Sequence, residues 1–194
     1  MIYLTRHGET EWNVARRFQG QQDSPLTERG RSQARAMGDL VRDLIRPGEG
    51  WRLVSSPLGR AWATADEIAR ASGLAVEPDE RLAEVSCGDW EGLLREQVIA
   101  EHGESLSGGE LIFRGPGGET YEQVAARVGS FLADLPPEPE RRMVVVSHGA
   151  SGRVLRGLYA GLPKRDVLTL DVPQDAIFRL VDGNIHRLDC EPVS

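Results

Sequence analysis

Apolar and polar positions follow two rhythms along this chain. Ile2, Tyr3, Leu4 and Thr5 form a short β-prone run that Gly8 and Glu9 interrupt. Leu53 to Ser55 forms a second, ending before Pro57, and Met143 to Ser147 a third, ending at His148 and Gly149. Each is followed by a helix candidate. After Thr27, the apolar residues Ala34, Met37, Val41 and Leu44 recur at spacings of three and four, which places them on one helical face. Pro57 suits the approach to a helix beginning near Leu58, because its missing N–H would have been unpaired there. Thr120 with Gln123 has the form of a capping box, and Tyr121, Val124, Val128, Phe131 and Leu135 trace a helical stripe until Pro136 stops it. Ala176 to Val181 and Ile185 to Leu188, around Asp182-Gly183-Asn184, read as a hairpin.

Strands alternating with helices predict an α/β fold: a single-domain three-layer sandwich over residues 1–194, with a mostly parallel sheet, helices on both faces and an antiparallel edge. No repeat or Gly/Ser linker divides the chain. Sheets of this kind bind ligands beyond the carboxyl ends of their strands. The three strand ends carry Arg6 and His7, then Ser55 to Arg60, then His148, so residues distant in sequence are expected to share one rim.

Composition narrows the setting. Apolar residues at 40 % and charged residues at 27 % are ordinary globular values. A formal net charge of −7 argues against nucleic-acid binding, which needs a basic stripe to displace counterions. It leaves room for a locally basic pocket and a small anion. Charge at Arg6 and Glu9 interrupts the first apolar run, so no signal peptide is expected, and the longest apolar run, Met143 to Val146, is far too short to span a membrane. Two cysteines, Cys87 and Cys190, suggest no disulfide framework, and the expected location is cytoplasmic.

Two His and two Arg at strand ends have little packing reason to converge, since clustered positive charge is costly without an anion. The residues around them resemble a known family. The run Thr5-Arg6-His7-Gly8-Glu9-Thr10, followed by Trp12-Asn13, Gln19-Gly20 and Pro25-Leu26-Thr27, is similar to the signature opening of the histidine phosphatase superfamily. Ser56-Pro57-Leu58 with Arg60-Ala61 matches its second block, and Glu84 with Gly88 and Trp90-Glu91-Gly92 its third. Pro116-Gly117-Gly118-Glu119 matches the fourth and Ser147-His148-Gly149 the last. The blocks stand in family order and span most of the chain.

The resemblance implies a phosphomonoester hydrolase, needing neither metal nor cofactor, that acts on a small phosphorylated metabolite through a phosphohistidine. His7 would attack phosphorus through a neutral ring nitrogen, its other nitrogen donating to a nearby backbone carbonyl. Arg6 and Arg60 would grip the phosphoryl oxygens with planar forks, and Asn13 and His148 would complete the cradle. A bound phosphate dianion would keep His148 protonated. Glu84 would protonate the departing alkoxide and then activate water. Gln19 and Gly20 would touch the substrate. Arg95, Arg114 and the Gly-rich stretch from Gly103 to Gly118 would form a lid. Partners other than the metabolite are not implied, with no nucleic acid or membrane, although a homodimer stays open.

Two departures bear on the activity. After Glu84 the chain reads Val85-Ser86-Cys87-Gly88-Asp89-Trp90, where the cofactor-dependent phosphoglycerate mutases of the superfamily usually carry an Arg-His-Tyr run. The chain is also shorter than those mutases. Both favour hydrolysis. The alternatives are such a mutase and, from another class, a catalytically idle phosphate-binding regulatory module. Sugar phosphates, phosphoglycolate-like acids, phosphoserine, nucleotides and ribazole phosphate all stay open as substrates.

Overall fold

A computed structural model describes residues 1–46, 48–102 and 108–191. The apolar runs become the centre of a six-stranded sheet: β1 (Ile2–Arg6) pairs in parallel with β4 (Met143–Ser147), which pairs in parallel with β2 (Arg52–Ser55). A short β3 (Val76–Pro78) extends the parallel side. On the other side β5 (Ala176–Val181) and β6 (Asn184–Asp189) are antiparallel, giving the order β3-β2-β4-β1-β5-β6. Asp182 and Gly183 both take positive φ, as a two-residue hairpin requires.

Strand pleating sends alternate side chains to opposite faces. Ile2, Leu4, Val145 and Phe178 pack on one face against Val124, Val128 and Phe131 of α5 (Tyr121–Ala133) and Val154 and Leu155 of α6 (Gly149–Ala160). Tyr3, Leu53, Val144 and Val146 pack on the other against Met37 and Val41 of α2 (Glu28–Leu44) and Ala61, Ala65 and Ile68 of α3 (Gly59–Ser72). The result is the three-layer α/β sandwich with an antiparallel edge. A smaller cluster joins Phe18, Cys87, Trp90, Val98 and Leu111.

Helices begin where side chains can satisfy the first amides. Thr27 accepts the Gly30 amide at 2.9 Å, and Thr120 and Gln123 form the reciprocal capping box, each cap contributing about 1 kcal/mol. Helix α5 ends at Ala133, so Leu135 packs on the core from outside it. The sequence pattern missed β3, whose three residues are half-buried or exposed, and α4 (Arg95–His102), which buries only Val98 and so has no stripe to read. It also missed the single turns α1 (Glu11–Val14) and α7 (Lys164–Val167). Among the described residues no helix is long and apolar enough to cross a membrane.

Candidate active site

The sheet register builds the rim. Arg6 stands opposite Ser147, so the chains leave β1 and β4 side by side, and the His7 amide donates to the Ser147 carbonyl at 3.1 Å. The His7 and His148 rings meet edge to face with centroids 5.2 Å apart. The turn after β2 delivers Arg60 in the first turn of α3. A close backbone approach holds the loop after β1: a Cβ on Gly8 would lie 2.2 Å from the Gly30 carbonyl oxygen, and one on Gly30 would lie 2.0 Å from that of Glu9. Only glycine fits at these two positions.

His7 is buried, and its Nδ1 lies 2.7 Å from the Gly8 carbonyl, an acceptor that places the ring proton on Nδ1. Nε2 is then a bare lone pair, into which Arg60 Nε donates at 3.2 Å. Burial, then the charges of Arg6 and Arg60, hold the His7 pKa well below its usual value despite the Gly8 bond. The imidazole is neutral at pH 7 with one nitrogen free to act as a nucleophile.

Arg60 donates through Nη1 to the Gln22 carbonyl and the Asp23 carboxylate, and through Nη2 to the Gly20 carbonyl at 2.7 Å. Its Nη1 is thus spent on holding the guanidinium, while Nε meets only His7 Nε2 and Nη2 keeps a hydrogen that Gly20 does not take. Gly20 takes φ +52, and a Cβ there would collide with Glu91. Arg6 anchors Nη1 on the Val172 carbonyl at 2.8 Å, and burial above all lowers its pKa to about 10, leaving it charged at pH 7. Asn13 takes two N–H donors on Oδ1, from the Thr10 amide at 3.1 Å and from Gln174 Nε2 at 2.9 Å. Its Oδ1 thus completes the capping box with Thr10, and its NH₂ has no acceptor among the described residues.

Glu84 is buried beside the start of α6. Its Oε1 accepts the Val85 and Ser151 amides, both at 3.0 Å, and its Oε2 the Ala150 amide at 3.2 Å. Arg127 fixes the segment from below by donating to the carbonyls of Arg81, Ala83 and Glu84 while bridging Glu119.

Arg6, His7, Asn13, Gln19, Gly20, Arg60 and Glu84 all line one cleft of about 920 Å³. His148 does not. It lies one layer deeper, with Nε2 2.7 Å from the Ser56 hydroxyl and Nδ1 without a partner. Burial, then Arg60, His7 and Arg6, press its pKa well below the usual value in this substrate-free site. Buried polar atoms without partners are rare, since each costs about 1–3 kcal/mol. Among the described residues there are four such side-chain atoms, and three belong here: Arg6 Nε, Gln19 Oε1 and His148 Nδ1.

The sequence profile of the histidine phosphatase superfamily (branch 1) matches residues 2–184. The chain belongs to that superfamily. Over 166 residues it is 39 % identical to a probable phosphoglycerate mutase GpmB of Salmonella paratyphi C, covering 84 % of this chain and 75 % of the relative. Among solved structures it is similar to a mycobacterial glucosyl-3-phosphoglycerate phosphatase complexed with VO3. That match has a TM-score of 0.79 and 32 % identity, over 97 % of this chain and 96 % of the other. YhfR of Bacillus stearothermophilus matches with a TM-score of 0.75 and 29 % identity, over 100 % and 97 % of the two chains.

Within this histidine phosphatase fold, some residues of the matching sequence blocks and of the expected lid lie elsewhere. Glu9 turns to Thr27 and Arg29, and Glu119 to Arg127 and the Ser86 amide, so neither faces the cleft. Arg95 and residues 109–112 line it, whereas Arg114 pairs with Glu110 outside; residues 103–107 of the expected lid lie outside the described residues. Gln174, Arg127, Asp23 and Arg153 had no signal in the sequence, because their partners come from loops and helices far along the chain.

Proposed function

We propose that this histidine phosphatase hydrolyses small phosphomonoesters by way of a phosphohistidine at His7. The observation that carries the reading is the His7 geometry: a neutral, buried ring with Nδ1–H committed to Gly8, Nε2 bare, and two guanidiniums beside it. An arriving phosphoryl group gives Arg60 Nε an oxygen in place of His7 Nε2 and frees the lone pair. His7 Nε2 then forms the N–P bond as the P–O ester bond breaks, and Glu84 passes a proton to the leaving alkoxide. Arg6, Arg60 and the Asn13 NH₂ meet charge that spreads over the phosphoryl oxygens. In the second step Glu84 takes a proton from water as its oxygen attacks phosphorus, the N–P bond breaks, and inorganic phosphate leaves with His7 neutral again.

His148 enters through charge. Burial and the charges of Arg60, His7 and Arg6 depress its pKa, and a bound dianion opposes the arginine charges and so favours a proton on His148. Gln19 Oε1, an unpartnered acceptor on the cleft wall, suits a substrate hydroxyl. Gly20 lines the same cleft and holds Arg60 through its carbonyl.

Hydrolysis is favoured over mutase action by the residues after Glu84. Val85, Cys87 and Trp90 turn into the core and none of them lines the cleft, which is far larger than the roughly 30 Å³ of a water molecule. A mutase must instead retain its product and exclude water. The relatives named as probable phosphoglycerate mutases support that second reading. Incubation with p-nitrophenyl phosphate and with 3-phosphoglycerate, following inorganic phosphate and 2-phosphoglycerate together, separates the two. Stoichiometric phosphate release is expected. Isomerisation without release would establish a mutase, and no turnover of any phosphoester an idle module.

A further inference from the structure

Glu84 sits on a stretch of chain with no hydrogen-bond ladder of its own. Ala83 to Cys87 runs irregularly between two single turns, Glu80–Leu82 and Gly88–Trp90, so its amides and carbonyls need partners from elsewhere. Side chains supply them. Arg127, on α5, donates Nη1 to the Arg81 and Ala83 carbonyls, both at 2.8 Å, and Nη2 to the Glu84 carbonyl at 3.2 Å. Its Nε and the second Nη2 hydrogen go to the two oxygens of Glu119, at 2.8 and 3.0 Å. Every N–H donor of the guanidinium is thereby used. Glu119 closes the circuit: its Oε2 accepts the Ser86 amide at 2.9 Å, and its own amide donates to the Ser86 carbonyl at 2.8 Å. The pair is mostly buried, and neither side chain lines the cleft.

The carboxyl end of Glu84 meets α6. The Ala150 and Ser151 amides lie in the first turn of that helix, where no carbonyl of the helix reaches them, and both donate to the Glu84 carboxylate. A strap thus runs from α5 through the Glu84 backbone to the start of α6. We propose that Arg127 and Glu119 are positioning residues for proton transfer, fixing the Glu84 backbone so that its carboxyl meets the leaving-group oxygen. The inference rests on the reading of Glu84 as general acid. A displacement of about 1 Å at an acid can cost on the order of a hundredfold, but only where the leaving group needs the proton.

Single-turnover formation of phosphohistidine from 3-hydroxypropyl phosphate and from p-nitrophenyl phosphate tests it. In Arg127→Met the alkyl phosphate should slow about ten- to hundredfold and p-nitrophenyl phosphate less than about threefold. Added to Glu84→Gln, the same substitution should slow the alkyl phosphate no more than about twofold further. Arg127→Lys should resemble Arg127→Met, because an ammonium keeps the charge but cannot span the same acceptors. Hydrogen exchange at the Ala150 and Ser151 amides, read by NMR, follows the carboxylate without any chemistry. Their protection should fall at least about tenfold in Arg127→Met, beyond any change at a core amide such as Val145. Equal slowing of both substrates, full extra loss in the double variant, native behaviour of Arg127→Lys, or unchanged protection would each overturn the proposal. Should Arg127→Met not fold, Glu119→Gln, which leaves the carbonyl bonds of Arg127 in place, decides by the same contrast at several-fold size. No leaving-group contrast in Glu84→Gln, or no turnover by the native chain, would defeat the general-acid or phosphatase reading separately, and the exchange measurement would still decide whether the pair holds Glu84.

Discussion

Replacing Glu84 with Gln perturbs two things that can be measured apart. In the native site three backbone amides converge on the carboxylate, two on Oε1 and one on Oε2. A carboxamide keeps one oxygen for Val85 and Ser151 but turns its NH₂ toward the Ala150 amide, donor against donor. Leaving that buried N–H unsatisfied costs about 1–3 kcal/mol. For a chain of this length each kcal/mol lowers Tm by roughly 2–4 °C, so the variant should melt measurably lower yet stay folded at 25 °C. The chemical loss is separate: without a proton to give, formation of phosphohistidine from an alkyl phosphate should slow by roughly 10²–10⁴. p-Nitrophenyl phosphate, whose phenolate leaves unaided, should lose much less. Single-turnover kinetics read the first step alone, because water attack also depends on Glu84. Equal, small losses for both leaving groups would refute the general-acid role. An unchanged Tm would refute the three-donor account of how Glu84 is held.

Three further outcomes follow from the geometry. Gly30→Ala should cost more than about 2 kcal/mol in urea unfolding, since its Cβ would meet rigid backbone, whereas Gly152→Ala inside α6 meets nothing within 4 Å and should be neutral or stabilising; equal effects would disprove the close approach beneath the His7 loop. His7 and His148 are held neutral in the fold, so below their unfolded pKa near 6.5 the unfolded chain binds protons that the native chain does not. Stability should therefore fall as pH drops below about 6.5, each His contributing up to about 1.4 kcal/mol per pH unit until its folded pKa is reached; a slope unchanged in His148→Gln would contradict the assignment. Gln174→Leu should lower kcat/KM about tenfold by releasing Asn13 and the His7 carbonyl, and should cost distinctly less when Asn13 is already Leu; additive losses would mean that Gln174 acts elsewhere.

The rim was legible because it depends on periodicity and local chemistry. Apolar runs ending at Arg6, Ser55 and Ser147 predict three adjacent strand ends, and the observed register puts His7 beside His148 for that reason. Thr120 and Gln123 announce a helix start that the backbone then makes. The distal cleft was not legible. Arg153 looks like any arginine on a helix until Leu170 and Gly109 fold against it, and Gln174 matters through a carbonyl and an amide more than 150 residues away. The anchoring of Arg60 was illegible for the same cause: sequence shows a guanidinium, but not the Gly20 and Gln22 carbonyls and the Asp23 carboxylate that hold it.

The central claim is a covalent bond between phosphorus and His7 Nε2. Mixing the protein with ³²P-labelled substrate, quenching in alkali within one turnover and mapping the label by peptide mass spectrometry tests it directly. Acid-labile, alkali-stable phosphate on the peptide containing His7, absent from His7→Ala, is the predicted result. Label on any other residue, or none in a preparation that releases phosphate, would contradict it.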